Sequence, residues 1–459
     1  MIDHQIDTYY FLGIGGIGMS ALARYFAAKG ARVLGYDRTP SPLTKELEAE
    51  GICVQYDDGL EAVKALDLST TVVVRTPAVP EEFAVYVWLR EHGFRILKRA
   101  EVLGMVTRSE RALCVAGTHG KTTTSTMLAH ILHQSHVGAN AFLGGIANNY
   151  GTNLLLDRNS DLVVVEADEF DRSFHHLTPH ISVITSMDPD HLDIYGTEEA
   201  YRDSFETYAG LVESALVVKR GLKLNYERLK ARVYSYAVNE QADFYAANVR
   251  VSNGEIWFDF HTPEHVIANV QLGVPVWVNV ENGVAAMAVA WLMGATDEEL
   301  RSGMSSFSGV YRRFNIHLNT ASVAYVDDYA HHPMELKASI ESVRRLYADR
   351  YVIGVFQPHL YTRTRDFVDE FAQVLSGLDE VALLPIYPAR EEPIKGVTSD
   401  WLLEKISTKR ALVLPNILAK YLRERVKACV AQGKDCVVIT MGAGDIDRKV
   451  NDITKSLMI

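Results

Sequence analysis

The sequence predicts an α/β protein of three domains, each with a mostly parallel sheet, and three observations carry that prediction. From residue 8 onward, short apolar runs alternate with helical patterns, the rhythm of βαβ units. Some of these runs, Asp161–Val165 and Ile181–Ile184 among them, are apolar almost throughout, as strands covered on both faces must be. The chain's 459 residues fit about three domains of ordinary size.

The first domain, residues 1–107, opens with the strand Tyr9–Leu12, a helix over Met19–Lys29 and the strand Arg32–Tyr36. Strands at Thr71–Val74 and Arg95–Leu97 follow, and a helix through Glu101–Val106 runs into the polar stretch Thr107–Glu110, where the boundary falls. Gly13, Gly15, Gly16 and Gly18 lie between the first strand and the first helix, where a Rossmann-type fingerprint cradles a pyrophosphate. Asp37 closes the next strand, at the spacing from which such an acid meets a ribose. On this domain alone a nicotinamide dehydrogenase is the obvious reading, and glycines that only let helix and strand pack closely are the other.

The second domain, residues 108–313, carries the most specific signal. The run Gly117-Thr118-His119-Gly120-Lys121-Thr122-Thr123-Thr124 stands between the apolar strand Ala112–Ala116 and a helical pattern over Ser125–Leu132. Glycines there aim backbone N–H groups at an anion, and the helix that follows points its positive end at the same place. Lys121 then reaches the terminal phosphates, and the Thr122 hydroxyl suits the Mg²⁺ that travels with ATP. Val115 stands where the general pattern has glycine, so a strand-to-helix turn that merely contains Gly-Lys-Thr is the competing reading. Glu166, at the end of the strand Asp161–Val165, is the carboxylate for Mg²⁺, a hard cation that takes one or two carboxylates beside phosphates. Asp168 and Glu169 read equally as part of that site or as a solvated acidic loop. His191, after the next strand, is a metal ligand or a helix-entry histidine. One pyrophosphate loop and one triphosphate loop in a chain point to two different nucleotides, one of them a handle on the substrate.

The third domain, residues 314–459, begins after Gly309–Phe314 with a strand at Val323–Val326 and a helix near Pro333, whose missing N–H is harmless in a first turn. Strands at Tyr351–Val355, Val381–Leu384 and Cys436–Ile439 complete it. Two polar clusters follow strands here, Asp327–Pro333 and Gln357–Arg365. At the carboxyl edge of a sheet their histidines, tyrosine and arginines suit an anionic substrate and a nucleotide, although solvated loops would look the same.

Composition narrows the partners. A net charge of −12 argues against nucleic acid or an anionic membrane as the main partner, and no apolar run approaches the length of a membrane span. The N-terminal residues lack a basic, then apolar, leader pattern. Cys53, Cys114, Cys429 and Cys436 form no Cys-x-x-Cys pair and read as buried thiols of a reducing compartment, so a cytoplasmic protein is expected.

Six segments taken together resemble the Mur ligases, the ATP-dependent enzymes that build the peptide stem of peptidoglycan. They are Gly13–Ser20, Gly117–Thr124, Glu166-Ala167-Asp168-Glu169, Asp188-Pro189-Asp190-His191, Tyr329–Pro333 and Phe356-Gln357-Pro358-His359, in that order. The resemblance covers essentially the whole chain and is nearest to the members that join L-alanine to UDP-N-acetylmuramate. It implies a Rossmann-like UDP-binding domain, a central P-loop ATPase-type domain and a C-terminal Rossmann-like domain that closes with the amino acid. Gly15, Gly16, Gly18 and Met19 would face the pyrophosphate, with Asp37 on the uridine side. Gly117, Thr118, His119, Gly120, Lys121, Thr122 and Thr123 would hold the phosphates of ATP, joined by Asn279, Asp328 and His331. Thr122, Glu166 and His191 would hold Mg²⁺, or Mn²⁺, so that Lys121, Glu166 and His191 form the catalytic set. His119, Asn149 and His176 would line the muramoyl side, Arg312 and Arg313 would contact anions near a hinge, and Tyr329, His359 and Arg363 would surround the alanine.

The sequence departs from that family in two places. Val278 stands where members commonly carry a histidine before Asn279, and Leu360 stands where some carry an arginine after His359. No carbamylated lysine is assigned, as in other alanine-adding members. The implied chemistry is phosphorylation of the lactyl carboxylate by ATP, attack of the alanine amine on the acyl phosphate, and loss of phosphate, with hinge motion near residues 310–316. Oligomeric state is left open. Three rivals are a recycling ligase that attaches a preformed tripeptide, a nicotinamide dehydrogenase and an idle nucleotide-binding protein.

Overall fold

Parallel strand pairing, which the near-continuous apolar runs demand, organises three sheets. The computed structural model describes residues 6–57, 60–76, 78–190, 192–252, 255–389 and 391–458. The first sheet contains β1 (Thr8–Leu12), β2 (Arg32–Tyr36), β3 (Cys53–Gln55), β4 (Thr71–Arg75) and β5 (Arg95–Lys98), ordered β3-β2-β1-β4-β5. All of its neighbours pair in parallel, the doubly wound pattern expected of a Rossmann-like domain. β1 is buried at every residue, which explains why it reads as an uninterrupted apolar and aromatic run.

The second sheet contains β6 (Arg111–Ala116), β7 (Asn140–Ala147), β8 (Thr152–Leu155), β9 (Leu162–Ala167) and β10 (Pro179–Ile184). It continues through β11 (Ala215–Lys219), β12 (Arg232–Val238), β13 (Phe244–Ser252), β14 (Glu255–His261) and β15 (Val266–Leu272). Its order is β15-β14-β13-β12-β11-β10-β6-β9-β7-β8, with β6 between β10 and β9 in parallel register. β7 and β8 pair antiparallel. The third sheet holds β16 (Asn315–Asn319), β17 (Val323–Asp328), β18 (Tyr351–Phe356), β19 (Glu380–Leu383), β20 (Lys409–Leu412) and β21 (Cys436–Met441). Its order is β16-β17-β21-β18-β19-β20, parallel except for the edge pair β16–β17.

The chain divides into two compact units, Met1–Val249 with Phe258–Gln271 and Glu281–Ser308, and Arg250–Trp257 with Leu272–Val280 and Gly309–Ile459. The first and most of the second predicted domains thus lie within one unit. A shared apolar core joins their sheets, in which Tyr25 and Phe26 of the helix Ile17–Ala28 pack with Phe142 and Leu154 of β7 and β8. Polar contacts fix that helix further: Asn153 donates to the Ile17 carbonyl, Arg24 donates to Asn153 Oδ1 at 3.1 Å, and the Tyr25 hydroxyl donates to Glu110 at 2.8 Å. Among the described residues no helix is long and apolar enough to cross a membrane. Cys114, Cys429 and Cys436 are buried as expected, but Cys53 is exposed because it lies on the edge strand β3.

In the second unit a buried glutamate ties β19 to the helix Leu418–Val430. Arg425 donates to both Glu380 oxygens at 2.6 and 2.9 Å, with Lys409 at 3.1 Å and the Tyr421 hydroxyl at 3.0 Å. Burial alone pushes this carboxyl up, but the bonds from Arg425, Lys409 and Tyr421 outweigh it and hold Glu380 below the ordinary glutamate range. A carboxyl depressed by folding contributes stability above its unfolded pKa and loses it as pH falls through the folded value. Glu380→Gln is therefore expected to destabilise the protein by about 3 kcal/mol at neutral pH. In thermal melts its difference from the parent should shrink as pH drops below 4.

Candidate functional site

Loops at carboxyl ends of parallel strands carry most of the candidate residues, in three clusters. The first follows β6. Gly117 takes φ +134°, a conformation open to glycine, and a Cβ there would lie 2.1 Å from Thr185 Oγ1 and 2.8 Å from Ser186 N. β10 supplies this wall: the Thr185 hydroxyl donates to the Ala116 carbonyl at 3.1 Å, and His119 N donates to Ser186 Oγ at 2.8 Å. The Thr118 hydroxyl donates to the Asp188 carbonyl at 2.7 Å and lies 2.8 Å from the Tyr201 hydroxyl. The helix Lys121–Gln134 then starts at Gly120 without a side-chain cap, which leaves its first amides to an anion.

Lys121 is the electrostatic centre of this loop. Its ammonium donates to the Gly117 carbonyl at 2.7 Å and to the Thr118 carbonyl at 3.3 Å, and pairs with Glu169 at 2.7 Å. Burial, the largest single influence, works against its charge, yet the carboxylates of Glu169, Glu166 and Asp168 together hold its pKa above the usual lysine value. Glu169 is only 2% exposed, so it is no part of a solvated acidic loop, and burial raises its own pKa against the pull of Lys121. Glu166, next to last in β9, lies opposite Val115, one strand from the loop, and its carboxylate lies against Gly144 of β7, where a Cβ would sit 2.0 Å from Oε2.

These residues fit Mg²⁺ beside phosphates. Thr122 and Glu166 offer a hydroxyl and a carboxylate oxygen, the hard donors Mg²⁺ prefers, and it normally completes its shell with water and phosphate oxygens instead of a protein cage. His191, the third expected ligand, lies outside the described residues. Among those described, no three His, Cys, Asp or Glu side chains gather as a preformed metal site.

The second loop follows β1. Asp37, expected on a ribose, accepts from Gly15 N at 2.8 Å and so braces the glycine turn. Gly16 caps the helix Ile17–Ala28 with no side-chain bond, as Gly120 does in the first loop. The glycine loop shares a space with the carboxyl end of β9: a cavity of ≈ 290 Å³ is lined by Gly16, Gly18 and Met19 on one side and by Glu166 and Asp168 on the other. Asn149 and His176 belong to the same unit. Both ends of the Asn149 amide are engaged by the Ser306–Ser308 segment, at 2.8 Å to Ser306 O and 2.8 Å from Ser308 N, and His176 is exposed on the turn Phe170–His176.

The third cluster lies in the other unit, after β17 and β18. Tyr329 is flanked by the guanidinium groups of Arg312 and Arg313, each 5.0 Å from its ring. His331 stands edge-on to Tyr329 at 5.2 Å and to His359 at 6.0 Å, and His359 stacks on Tyr387 at 5.8 Å. Burial keeps His331 below the ordinary histidine value, with Glu335 opposing and the nearby Arg363 reinforcing. Asp328 is buried, which pushes its carboxyl up to about 6, and it accepts from Phe314 N at 3.2 Å and from the Ser339 hydroxyl. Arg312 and Phe314 both take left-handed conformations, φ +62° and +52°, so Asp328 braces a strained segment between Gly309 and β16. Arg312 is itself anchored, donating to the Gly442 carbonyl. Leu360 has φ +69° and donates from its N to Tyr387 O at 3.0 Å. Asn279 is buried and bonds the Val274 carbonyl at 3.4 Å, while Val278 is 40% exposed.

Sequence reasoning did not single out Thr185, Ser186, Arg99, Asn282 or Tyr387. Thr185 and Ser186 directly follow a predicted strand, so the edge rule that found Glu166 would have found them. Asn282 accepts from the Thr124 hydroxyl at 3.2 Å and closes on Gly120, a contact made across 158 residues that no local pattern announces.

Comparison with known proteins matches three family profiles along the chain. They are "Mur ligase family, catalytic domain" over residues 8–111, "Mur ligase middle domain" over 115–290 and "Mur ligase, glutamate ligase domain" over 312–444. A UDP-N-acetylmuramate–L-alanine ligase of Parabacteroides distasonis is 56% identical over 99% of this chain and 98% of its own. One of Porphyromonas gingivalis (strain W83) is 55% identical over 98% of each. The crystal structure of the UDP-N-acetylmuramate–alanine ligase of Thermotoga maritima superimposes with a TM-score of 0.80 at 25% identity, covering 98% of both chains.

The loop geometry generates a direct expectation. Gly117→Ala forces a Cβ into Thr185 at a strained φ, at a cost of about 1–3 kcal/mol. It should abolish the rise in melting temperature that ATP with Mg²⁺ gives the parent protein, as read by differential scanning fluorimetry.

Proposed function

The chain belongs to the Mur ligase family, and we propose that it joins L-alanine to the lactyl carboxylate of UDP-N-acetylmuramate, with ATP cleaved to ADP and phosphate, in cytoplasmic peptidoglycan precursor synthesis. The observation that carries this reading is the shared cavity, in which the glycine loop of the first sheet faces the acidic edge beside the Lys121 loop. A dehydrogenase has no use for the Lys121 loop. Relatives 55–56% identical across almost the whole chain bear the same activity in their names.

A carboxylate does not condense with an amine in water because its oxygen is a poor leaving group. In the proposed reaction the lactyl carboxylate attacks the γ-phosphorus of ATP in line, and ADP departs. The neutral amine of alanine then adds to the carbonyl carbon of the acyl phosphate, phosphate leaves with the C–O bond electrons, and the amine gives up a proton. Charge on the transferring phosphoryl group is met by the first amides of the helix Lys121–Gln134 and by the Lys121 ammonium, which exchanges Glu169 and loop carbonyls for phosphate oxygens. Glu169 is therefore the residue that keeps this ammonium charged and aimed along the loop before the nucleotide arrives. Thr122, Glu166 and His191 would hold Mg²⁺ or Mn²⁺, which spreads phosphate charge when bound.

The remaining assignments follow the family pattern. Gly117, Thr118, His119, Gly120 and Thr123 hold the ATP phosphates; Asn279, Asp328 and His331 serve the rest of that nucleotide. Gly15, Gly16, Gly18, Met19 and Asp37 hold the UDP. His119 is the stronger candidate for the muramoyl group, and His176 accompanies it; Asn149, already engaged by Ser306 and Ser308, acts there through the segment it holds. Tyr329, His359 and Arg363 receive the alanine, and with Leu360 apolar its carboxylate depends on Arg363. Arg312 and Arg313 supply positive charge beside Tyr329.

Phosphate release from ATP and UDP-N-acetylmuramate, with L-alanine, glycine, L-serine or the tripeptide offered separately, tests the proposal. Release should be fastest with L-alanine; release with the tripeptide alone would favour the recycling ligase. Lys121→Ala is expected to lower kcat on the order of 10³-fold. The double variant Lys121→Ala/Glu169→Gln leaves no charge buried alone and should be equally slow, which separates chemistry from folding.

A further inference from the structure

The cavity between the glycine loop and the end of β9 is lined by one cation that none of the assignments above uses. Arg99 opens the helix Arg99–Ser109 and lines the cavity between Gly18 and Asp168. Its guanidinium lies against the glycine loop: a Cβ on Gly18 would sit 2.6 Å from Nη1 and 3.3 Å from Cδ. The absence of a side chain at Gly18 lets the guanidinium lie this close to the loop.

Three features point this arginine at an anion. Lys98 and Arg99 together start a helix, where positive charge is unfavourable to the helix dipole and so is not explained by helix stability. The carboxylate facing it, Asp168, stands 3.7 Å away, beyond the 2.7–2.9 Å of a charge-assisted hydrogen bond, and the pair is partly exposed at 31% and 40%. A guanidinium carries five donors in a planar fork, and this contact leaves most of them for a ligand. The uncapped start of the helix Ile17–Ala28 opens onto the same cavity beside it, so one ligand meets backbone amides from one side and a guanidinium from the other.

Building on the functional reading above, we propose that Arg99 is a diphosphate-binding residue for the uridine nucleotide substrate, exchanging its Asp168 contact for phosphate oxygens when substrate binds. Two bonded phosphates need two sources of positive potential; the amides of the glycine turn supply one and Arg99 the other. The exchange frees Asp168 beside Glu166, so the same event that seats the diphosphate changes the charge at the acidic edge.

Calorimetric titration of the full-length wild type, Arg99→Ala and Arg99→Lys with UMP, UDP, UDP-N-acetylglucosamine, UDP-N-acetylmuramate and ADP–Mg²⁺ tests this. Arg99→Ala should bind UDP and both UDP-sugars on the order of 10- to 100-fold more weakly. UMP should change far less, ADP–Mg²⁺ should be unaffected, and Arg99→Lys should fall between. Wild-type affinity for UDP in Arg99→Ala would overturn the proposal, as would a loss confined to UDP-N-acetylmuramate, which would assign Arg99 to the lactyl carboxylate. If Arg99→Ala also lost ADP–Mg²⁺ it would be misfolded, and Arg99→Lys would decide by the same comparison of UDP against ADP. A wild-type chain that bound no uridine nucleotide would instead remove the functional reading itself.

Discussion

The buried ion pair between Lys121 and Glu169 is the interaction on which the rest of the site depends. A lysine ammonium so little exposed loses most of its hydration, and it stays charged only because loop carbonyls and three carboxylates replace the water. That arrangement requires β6 to lie between β9 and β10 in parallel register. β9 then delivers the acids, and β10 delivers Thr185 and Ser186, to the loop between them. In the proposed reaction a nucleotide entering this loop replaces internal ligands of an ammonium already held in position.

The same logic recurs at each sheet. The glycine turn after β1 is braced by Asp37, and Asp328 after β17 braces the left-handed segment at Phe314. In each case an acid that a motif search assigns to a ligand also holds the backbone of its own loop. The clusters lie at the carboxyl ends of parallel strands because backbone amides and following helix starts concentrate there. A substrate bearing both a diphosphate and a carboxylate matches the first unit, where two such ends share a cavity.

The strands that carry the candidate loops were legible in the sequence because buried parallel strands leave near-continuous apolar runs. β1, β2, β4, β6, β9, β10, β17, β18, β19 and β21 all coincide with such runs, within a few residues. The antiparallel edge formed by β7 and β8 was not, since Asn140–Ala147 contains two glycines and Thr152–Leu155 is only four residues long. Lys121, Thr122 and Glu166 were legible from a local motif and a strand end. The partner of Lys121 was not, because Glu169 follows the strand on a turn whose burial depends on packing against Tyr195, whose hydroxyl donates to the Glu169 carbonyl. Arg99 and Asn282 were invisible for the same reason: each reaches its loop from a distant segment, and only the fold brings them together.

In the proposed reaction a carboxylate is phosphorylated at this loop before the amide bond forms. UDP-N-acetylmuramate carrying ¹⁸O in both lactyl carboxylate oxygens, turned over with unlabelled ATP and L-alanine, tests it most directly by mass analysis of the phosphate released. An acyl phosphate bridges through one of those oxygens and its cleavage by the amine leaves that atom on phosphorus, so the phosphate should contain one ¹⁸O and the amide product the other. Phosphate free of label, with amide still formed, would mean that ATP is cleaved by water and that the carboxylate is never activated at this loop.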